Sequence, residues 1–135
     1  MKLTLETIQT INLFEQLTGA KIKDCIKGND LITFLVEEGN IKKALGKDNI
    51  NLKRIEGILK KKVRLIAFSN DVVKFINNLL YPLKVDKIEK KEEIVEIYIK
   101  DTRIKGKVYG RSRENLYWIQ DLVKKYHNIK EIKII

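Results

Sequence analysis

The sequence has 135 residues, of which 44% are hydrophobic and 34% are charged. This length suits one ordinary domain or two small ones, and the apolar content is enough for packed cores, which excludes a disordered chain. Lysine and arginine number 28 against 18 acidic residues, so the net charge is +10. Such a basic excess is typical of proteins with a polyanionic partner, although a solvated lysine- and glutamate-rich surface gives the same balance.

The residue types needed for catalysis or metal binding are scarce. Cys25 is the single cysteine and His127 the single histidine, which excludes a disulfide and a cysteine-rich metal site. No catalytic triad, P-loop or metal signature is present, so we predict no catalytic residues, no metal, no cofactor and no enzymatic activity. The first residues lack the pattern of a signal peptide, and no apolar run reaches membrane-spanning length. We therefore expect a cytoplasmic protein without membrane contact; a monomer is favoured.

The first half of the chain predicts a helix, two strands, two helices and a closing strand, at residues 7–17, 21–26, 31–36, 41–45, 50–59 and 63–67. Gly19 is a typical stop for the first helix. Residues 28–30, Gly-Asn-Asp, have the composition of a hairpin turn between the strands. The short helix stops at Gly46. Cys25, in the first strand, is interpreted as a half-buried structural thiol.

The second half predicts the same order, with a helix ending at Leu80 and further elements at residues 84–89, 94–99, 102–109, 114–126 and 131–135. Ser69 or Asn70 is expected to cap the helix that ends at Leu80, and a turn is expected at residues 90–92. The predicted fold class is α+β, with an α-β-β-α-α-β order in each of two domains, 1–68 and 69–135. In each, a three-stranded sheet has helices on one face. The join lacks a Gly/Ser/Pro-rich stretch, so we expect the domains to be rigidly joined.

A segment at the centre of each half is repeated. Residues 46–55 read GKDNINLKRI, and residues 110–119 read GRSRENLYWI. A repeat of this kind indicates one folding unit used twice. A glycine and a basic residue before a helix favour a phosphate, because the glycine allows close approach and the helix N-terminus attracts an anion. Single-stranded nucleic acid could then follow the loop and the next helix, with its bases turned towards the sheet edge. The candidate RNA-binding residues are Gly46, Lys47, Asp48, Asn49, Asn51, Lys53, Arg54, Gly110, Arg111, Ser112, Arg113 and Asn115.

These residues resemble a known module. Residues 45–47 followed by 51–55 are similar to the KH module in its prokaryotic, type II order. The tandem without flanking domains resembles the short archaeal NusA-like proteins, a family of transcription termination and antitermination factors. Further resemblances to that family lie at residues 11–15, 18–20, 23–25 and 80–85. The resemblance implies two tandem type II KH domains, a transcription factor that binds single-stranded RNA, and RNA polymerase as a further partner.

Two departures from the family pattern qualify this expectation. KH loops usually read Gly-x-x-Gly, but the fourth position here is Asn49 or Arg113. Asparagine tolerates a left-handed backbone, so the first loop should keep its shape, whereas Arg113 should change the second loop and its RNA binding. Tyr117 and Trp118 follow the second loop and could stack on bases, although Trp118 could instead fill a seam between the domains. The alternative function is a protein-interaction scaffold on RNA polymerase or a ribosomal particle, with little direct RNA binding.

Overall fold

The structure is a computed structural model that describes residues 4–28 and 30–135. The chain divides into two compact units, Met1–Ser69 and Asn70–Ile135. Each unit has the element order α-β-β-α-α-β and one three-stranded mixed sheet. The predicted α+β class is therefore confirmed.

The first unit contains helices α1 (Leu5–Thr18), α2 (Ile41–Leu45) and α3 (Ile50–Leu59) and strands β1 (Ile22–Lys27), β2 (Leu31–Val36) and β3 (Lys62–Ala67). A reciprocal capping box starts α1, because the Thr4 hydroxyl accepts from the Thr7 N–H and the Thr7 hydroxyl accepts from the Thr4 N–H. Gly19 ends α1 with a left-handed backbone, φ 75°, as the sequence predicts. The hairpin turn predicted at residues 28–30 includes Asn29, which lies outside the described residues.

The sheet of the first unit explains where its two short helices go. Its strand order is β1-β2-β3; β1 and β2 are antiparallel, whereas β2 and β3 are parallel. Parallel neighbours need a crossover connection, and α2 and α3 form it. The core includes Phe14 and Phe34, which are fully buried with ring centroids 4.5 Å apart, together with Ala44 and Ile55 from the crossover helices. Packing of α2 and α3 onto the core leaves the turn between them at the surface.

The second unit contains α4 (Val72–Leu80), α5 (Thr102–Tyr109) and α6 (Glu114–Tyr126) with β4 (Lys87–Lys91), β5 (Ile94–Tyr98) and β6 (Glu131–Ile134). Its sheet order is β4-β5-β6, again antiparallel and then parallel. Val95, Val108 and Ile119 are fully or almost fully buried, so the sheet and both crossover helices contribute to the buried apolar side chains of this unit. The crossover turn between α5 and α6 therefore occupies the same topological position as that between α2 and α3.

The start of α4 corrects a prediction. The N-cap is Asp71, not Ser69 or Asn70. Its carboxylate accepts from the N–H groups of Val73 at 3.0 Å and Lys74 at 3.4 Å. Only a side chain two or three residues before those N–H groups can reach them, which places the cap one or two positions later than expected.

The β4–β5 hairpin differs from the prediction in the bounds of its first strand and in the position of its turn. The strand expected at residues 84–89 begins at Lys87 and continues to Lys91, and the turn lies at Glu92 and Glu93 instead of residues 90–92. Glu92 has a left-handed φ of 55°. The exposed face of the hairpin is polar, and Lys91 Nζ lies 3.1 Å from Glu96 Oε1 across the strands. Cross-strand ion pairs of this kind help to fix a register that a weak apolar pattern leaves open.

A further similarity between the units involves the closing strands. Glu56 Oε2 accepts a hydrogen bond from the Val63 N–H at 2.9 Å. Gln120, which is 64 residues later, accepts from the Ile132 N–H at the same distance. Each bond ties the last crossover helix to the start of the last strand.

Candidate nucleic-acid interface

The first loop (residues 46–49) and the second loop (residues 110–113) have almost the same backbone conformation. Gly46 has φ 72° and ψ 175°, and Gly110 has φ 69° and ψ 178°. The third positions are also left-handed, with φ 55° and ψ 32° at Asp48 and φ 53° and ψ 30° at Ser112. In each loop the N–H of the fourth residue donates to the glycine oxygen at 3.2 Å, and the loop leads directly into the long helix. The two units therefore present their loop backbones alike.

The expected change of shape at Arg113 is wrong. Arg113 has φ 63° and ψ 16°, close to the φ 59° and ψ 28° of Asn49. A left-handed arginine costs about 1–2 kcal/mol, but the turn is held by a hydrogen bond from its N–H to the Gly110 oxygen at 3.2 Å. The guanidinium also lies 5.1 Å from the centroid of the Tyr109 ring, a cation–π contact that contributes to this arrangement.

The first glycine of each loop is required by the backbone conformation of the loop and by packing within the protein. Their φ and ψ values lie in a region that is essentially restricted to glycine. In addition, a Cβ on Gly46 would lie 2.7 Å from Asn51 Nδ2, and a Cβ on Gly110 would lie 2.6 Å from Asn115 Cβ. The glycine and the asparagine five residues later thus form a close-packed pair in each unit.

The two asparagines in these pairs use their side-chain amides within the protein. Asn51 Nδ2 donates to the Lys43 oxygen at 2.9 Å, and Asn115 Nδ2 donates to the Val108 oxygen at 3.0 Å. These carbonyls lie near the end of the preceding helix, where they lack helical partners. Asn51 and Asn115, which the sequence places among the RNA-binding candidates, therefore hold the two crossover helices together.

The charged candidates of both loops lie at the surface. The structure places Lys47, Asp48, Asn49, Lys53, Arg54, Arg111, Ser112 and Arg113 in exposed positions and Gly46, Gly110, Asn51 and Asn115 in half-buried ones. An open depression of about 460 Å³ beside the first loop is lined by Lys47, Asp48, Ile50 and Lys53. A second depression, of about 530 Å³, lies along α5. Three of the candidates, Lys47, Asp48 and Lys53, thus line a concave surface at the first loop.

The two crossover segments differ strongly in charge. Residues 37–49 of the first unit contain three basic and three acidic residues, whereas the equivalent residues 101–113 of the second contain five basic residues and one acidic residue. The backbones are alike, so charge is the main difference between the loops. A polyanion is therefore attracted more strongly by the second crossover segment.

One exposed aromatic residue was noticed in the sequence but not placed among the candidates. Tyr117, in the first turn and a half of α6, is 52% exposed, whereas Tyr109 and Trp118 are half-buried. Lys53 stands at the same offset in the first unit. Only the burial pattern separates Tyr117 from its aromatic neighbours, and the sequence alone does not give that pattern.

Further features of the described residues concern metal binding, the Cys25 thiol and membrane-spanning helices. Across residues 4–28 and 30–135, no cluster of three or more His, Cys, Asp or Glu side chains could hold a metal ion. Cys25 is 4% exposed, and burial raises the pKa of its thiol to about 11, so it is protonated at neutral pH. Among the helices described, none is long and apolar enough to cross a membrane.

Fold and loops together define an α+β protein made of two like units, each with a glycine-led basic turn between its crossover helices. No family model matches the chain. It is 31% identical over 138 residues to the probable transcription termination protein NusA of Methanocaldococcus jannaschii, covering all of this chain and 75% of that protein. It is 30% identical to the protein of the same name from Methanococcus vannielii, covering 80% of it, and 29% identical to that from Halococcus morrhuae, covering 99% of it.

The chain therefore belongs to the family of archaeal proteins named probable transcription termination protein NusA, in agreement with the resemblance in its sequence. The crystal structure of APE1850 has a similar fold, with a TM-score of 0.74 and 24% sequence identity. That similarity covers 98% of this chain and 100% of the other.

Proposed function

We propose that each unit is a type II KH domain and that the protein is a transcription termination or antitermination factor that binds single-stranded RNA through both loops. The observation that carries the proposal is the repeated loop itself. Two segments of different sequence adopt the same glycine-led conformation, and both place a basic side chain, Lys47 or Arg111, in an exposed position directly after the glycine. Family membership supports the role in transcription.

The chemistry of binding follows from the start of each long helix. No side chain caps α3 or α6, since neither N-cap residue, Asn49 or Arg113, makes a side-chain cap hydrogen bond in the described structure. The first N–H groups of these helices and the helix dipole favour a phosphate, and Lys47 or Arg111 adds a full charge beside it. The RNA backbone would pass the loop, with its bases turned towards the sheet edge.

This proposal is tested by the salt dependence of RNA binding. For single-stranded nucleic acid, each phosphate contact contributes about −0.7 to the slope of log K against log salt concentration. If Lys47 and Arg111 each contact one phosphate, replacing both by aspartate should reduce the magnitude of the slope by at least about 1.4. The matched control replaces Lys61 and Lys90 by aspartate. Each is an exposed lysine outside the loops, one in each unit, so this variant has the same change in net charge.

The control variant should bind nearly as the wild type does. No RNA binding by the wild type at low salt would refute the proposal, and so would equal losses in the two double variants.

The scaffold alternative is favoured by one observation. The side chains of Ile50 and Ile58 on α3 are each 52% exposed, and apolar surface of this kind could contact a protein partner. A scaffold docked on RNA polymerase or a ribosomal particle would bind its partner after nuclease treatment, while the purified protein would show no RNA affinity. The RNA-binding proposal predicts measurable RNA affinity for the purified protein.

A further inference from the structure

The backbone similarity of the two loops makes their side chains the source of any difference in binding. In the first loop, the charge of Lys47 is balanced by Asp48. In the second loop, Arg111 and Arg113 are both exposed and no acidic residue lies between residues 110 and 113, although the exposed Glu114 follows directly. Arginine is also the better phosphate ligand, because its planar guanidinium donates two parallel hydrogen bonds.

Helix α5 extends the positive surface away from the second loop. Arg103 and Lys107 lie four residues apart, hence on one helix face and about 6 Å apart along the axis. They line the depression of about 530 Å³, together with Gly106, where a Cβ would meet nothing within 4 Å. Arg103 lies 3.9 Å from Asp101, but its side chain is 90% exposed, so this pair leaves its charge available. The surface is therefore open as well as positive.

Tyr117 adds a group that the first unit lacks. Its side chain is 52% exposed, and within the described residues it makes no hydrogen bond, ion pair or ring contact. It lies on α6, one turn after Arg113 and Glu114. Burying part of a ring against a nucleic acid base is favourable for any base, because every base has a stacking face. At the same offset the first unit has Lys53, which can contact a phosphate but cannot stack in this way.

We infer that the second unit carries the principal RNA site, in which the arginines of the second loop and the basic face of α5 contact phosphates and Tyr117 stacks on a base. The first loop, with balanced charge and no exposed aromatic residue at the offset of Tyr117, is the weaker site. This inference rests on the proposed function, because it assumes that the loops bind single-stranded RNA.

The test compares equivalent positions in the full-length chain. The affinity for a short fluorescent oligouridylate is measured by anisotropy for the wild type and for Tyr117→Ala, Tyr117→Phe and Lys53→Ala. Loss of one stacked base should weaken binding by about 5- to 140-fold in Tyr117→Ala. The phenylalanine variant keeps the ring and should bind nearly as the wild type does. Lys53→Ala should have the smaller effect. Circular dichroism confirms folding, which substitution at an exposed position should preserve.

A second pair of variants, with substitutions in the loops, tests the contribution of the loop side chains. Arg111→Ala should weaken binding more than Lys47→Ala does. If the wild type binds no single-stranded RNA at low salt, the proposed function fails and the inference fails with it. If the wild type binds, but Lys47→Ala and Lys53→Ala weaken binding as much as their counterparts, only the inference is refuted. Equal losses in Tyr117→Ala and Tyr117→Phe would refute the stacking contact.

Discussion

Replacement of Gly110 by alanine tests whether the loop glycines are required by the fold. The new Cβ would lie 2.6 Å from Asn115 Cβ and 3.0 Å from Asn115 N. Both atoms are fixed to the backbone at the start of α6, so the helix start itself must move. At Gly46 the nearest atom is Asn51 Nδ2, at 2.7 Å, which is the end of a side chain and can rotate away.

The magnitude follows from two contributions. Alanine in this backbone region costs on the order of 1–3 kcal/mol, and the steric overlap with fixed atoms adds about 1–3 kcal/mol. Gly110→Ala should therefore lower the free energy of unfolding by about 2–6 kcal/mol, a large part of the usual stability of a small protein. Gly46→Ala should cost less, because its second contribution is mainly the hydrogen bond from Asn51, worth about 1 kcal/mol.

Urea unfolding, followed by circular dichroism and by the fluorescence of Trp118, measures these differences. The matched control is Gly106→Ala, on α5, where a Cβ meets nothing within 4 Å. That variant should be more stable than the wild type by up to about 1 kcal/mol, because alanine has a higher helix propensity than glycine. A Gly110→Ala protein as stable as the wild type, or a control that is destabilised equally, would refute the reasoning.

Three further predictions concern stability and reactivity. Asp71→Ala should lower the free energy of unfolding by about 0.5–2 kcal/mol, because α4 loses its cap, whereas Asp71→Ser should retain most of it in the same urea titration. Glu56→Ala should cost about 1–3 kcal/mol by leaving the Val63 N–H without its acceptor, and Glu56→Gln, which keeps an acceptor, should cost less. Cys25 should react with a thiol reagent at neutral pH only after unfolding, and rapid labelling of the native protein would contradict this. Because the pKa of the Cys25 thiol in the folded protein, about 11, exceeds its unfolded value, the contribution of this thiol to stability should decline as pH rises above about 9. A stability that rises over that pH range would contradict this second expectation.

The order of elements could be predicted from the sequence because each signal is local. Gly19 stops α1, and the repeated segment marks both crossover turns. The bounds of β4 could not be predicted in the same way. Lys91 and Glu89 of β4 contact Glu96 and Tyr98 on the neighbouring strand, and the turn uses a left-handed Glu92, which no residue preference indicates.

The sequence located the two candidate loops but did not reveal why they adopt their conformation. The glycines were interpreted as leaving room for RNA, whereas the structure shows that Gly46 and Gly110 are required by their backbone angles and by the adjacent asparagines. The conformation of Arg113 could not be predicted from its own preferences, because the surrounding turn and the Tyr109 ring stabilise it. Propensity is a weak guide where tertiary contacts determine the backbone.

Crosslinking of bound RNA, followed by mapping of the modified peptides, tests the central claim most directly. The protein is irradiated in complex with single-stranded RNA at low salt, and the crosslinked peptides are identified by mass spectrometry. RNA contact through the two crossover turns predicts crosslinks within residues 103–117 and, more weakly, within residues 46–54. Crosslinks confined to α1, α4 or the strands would contradict the claim.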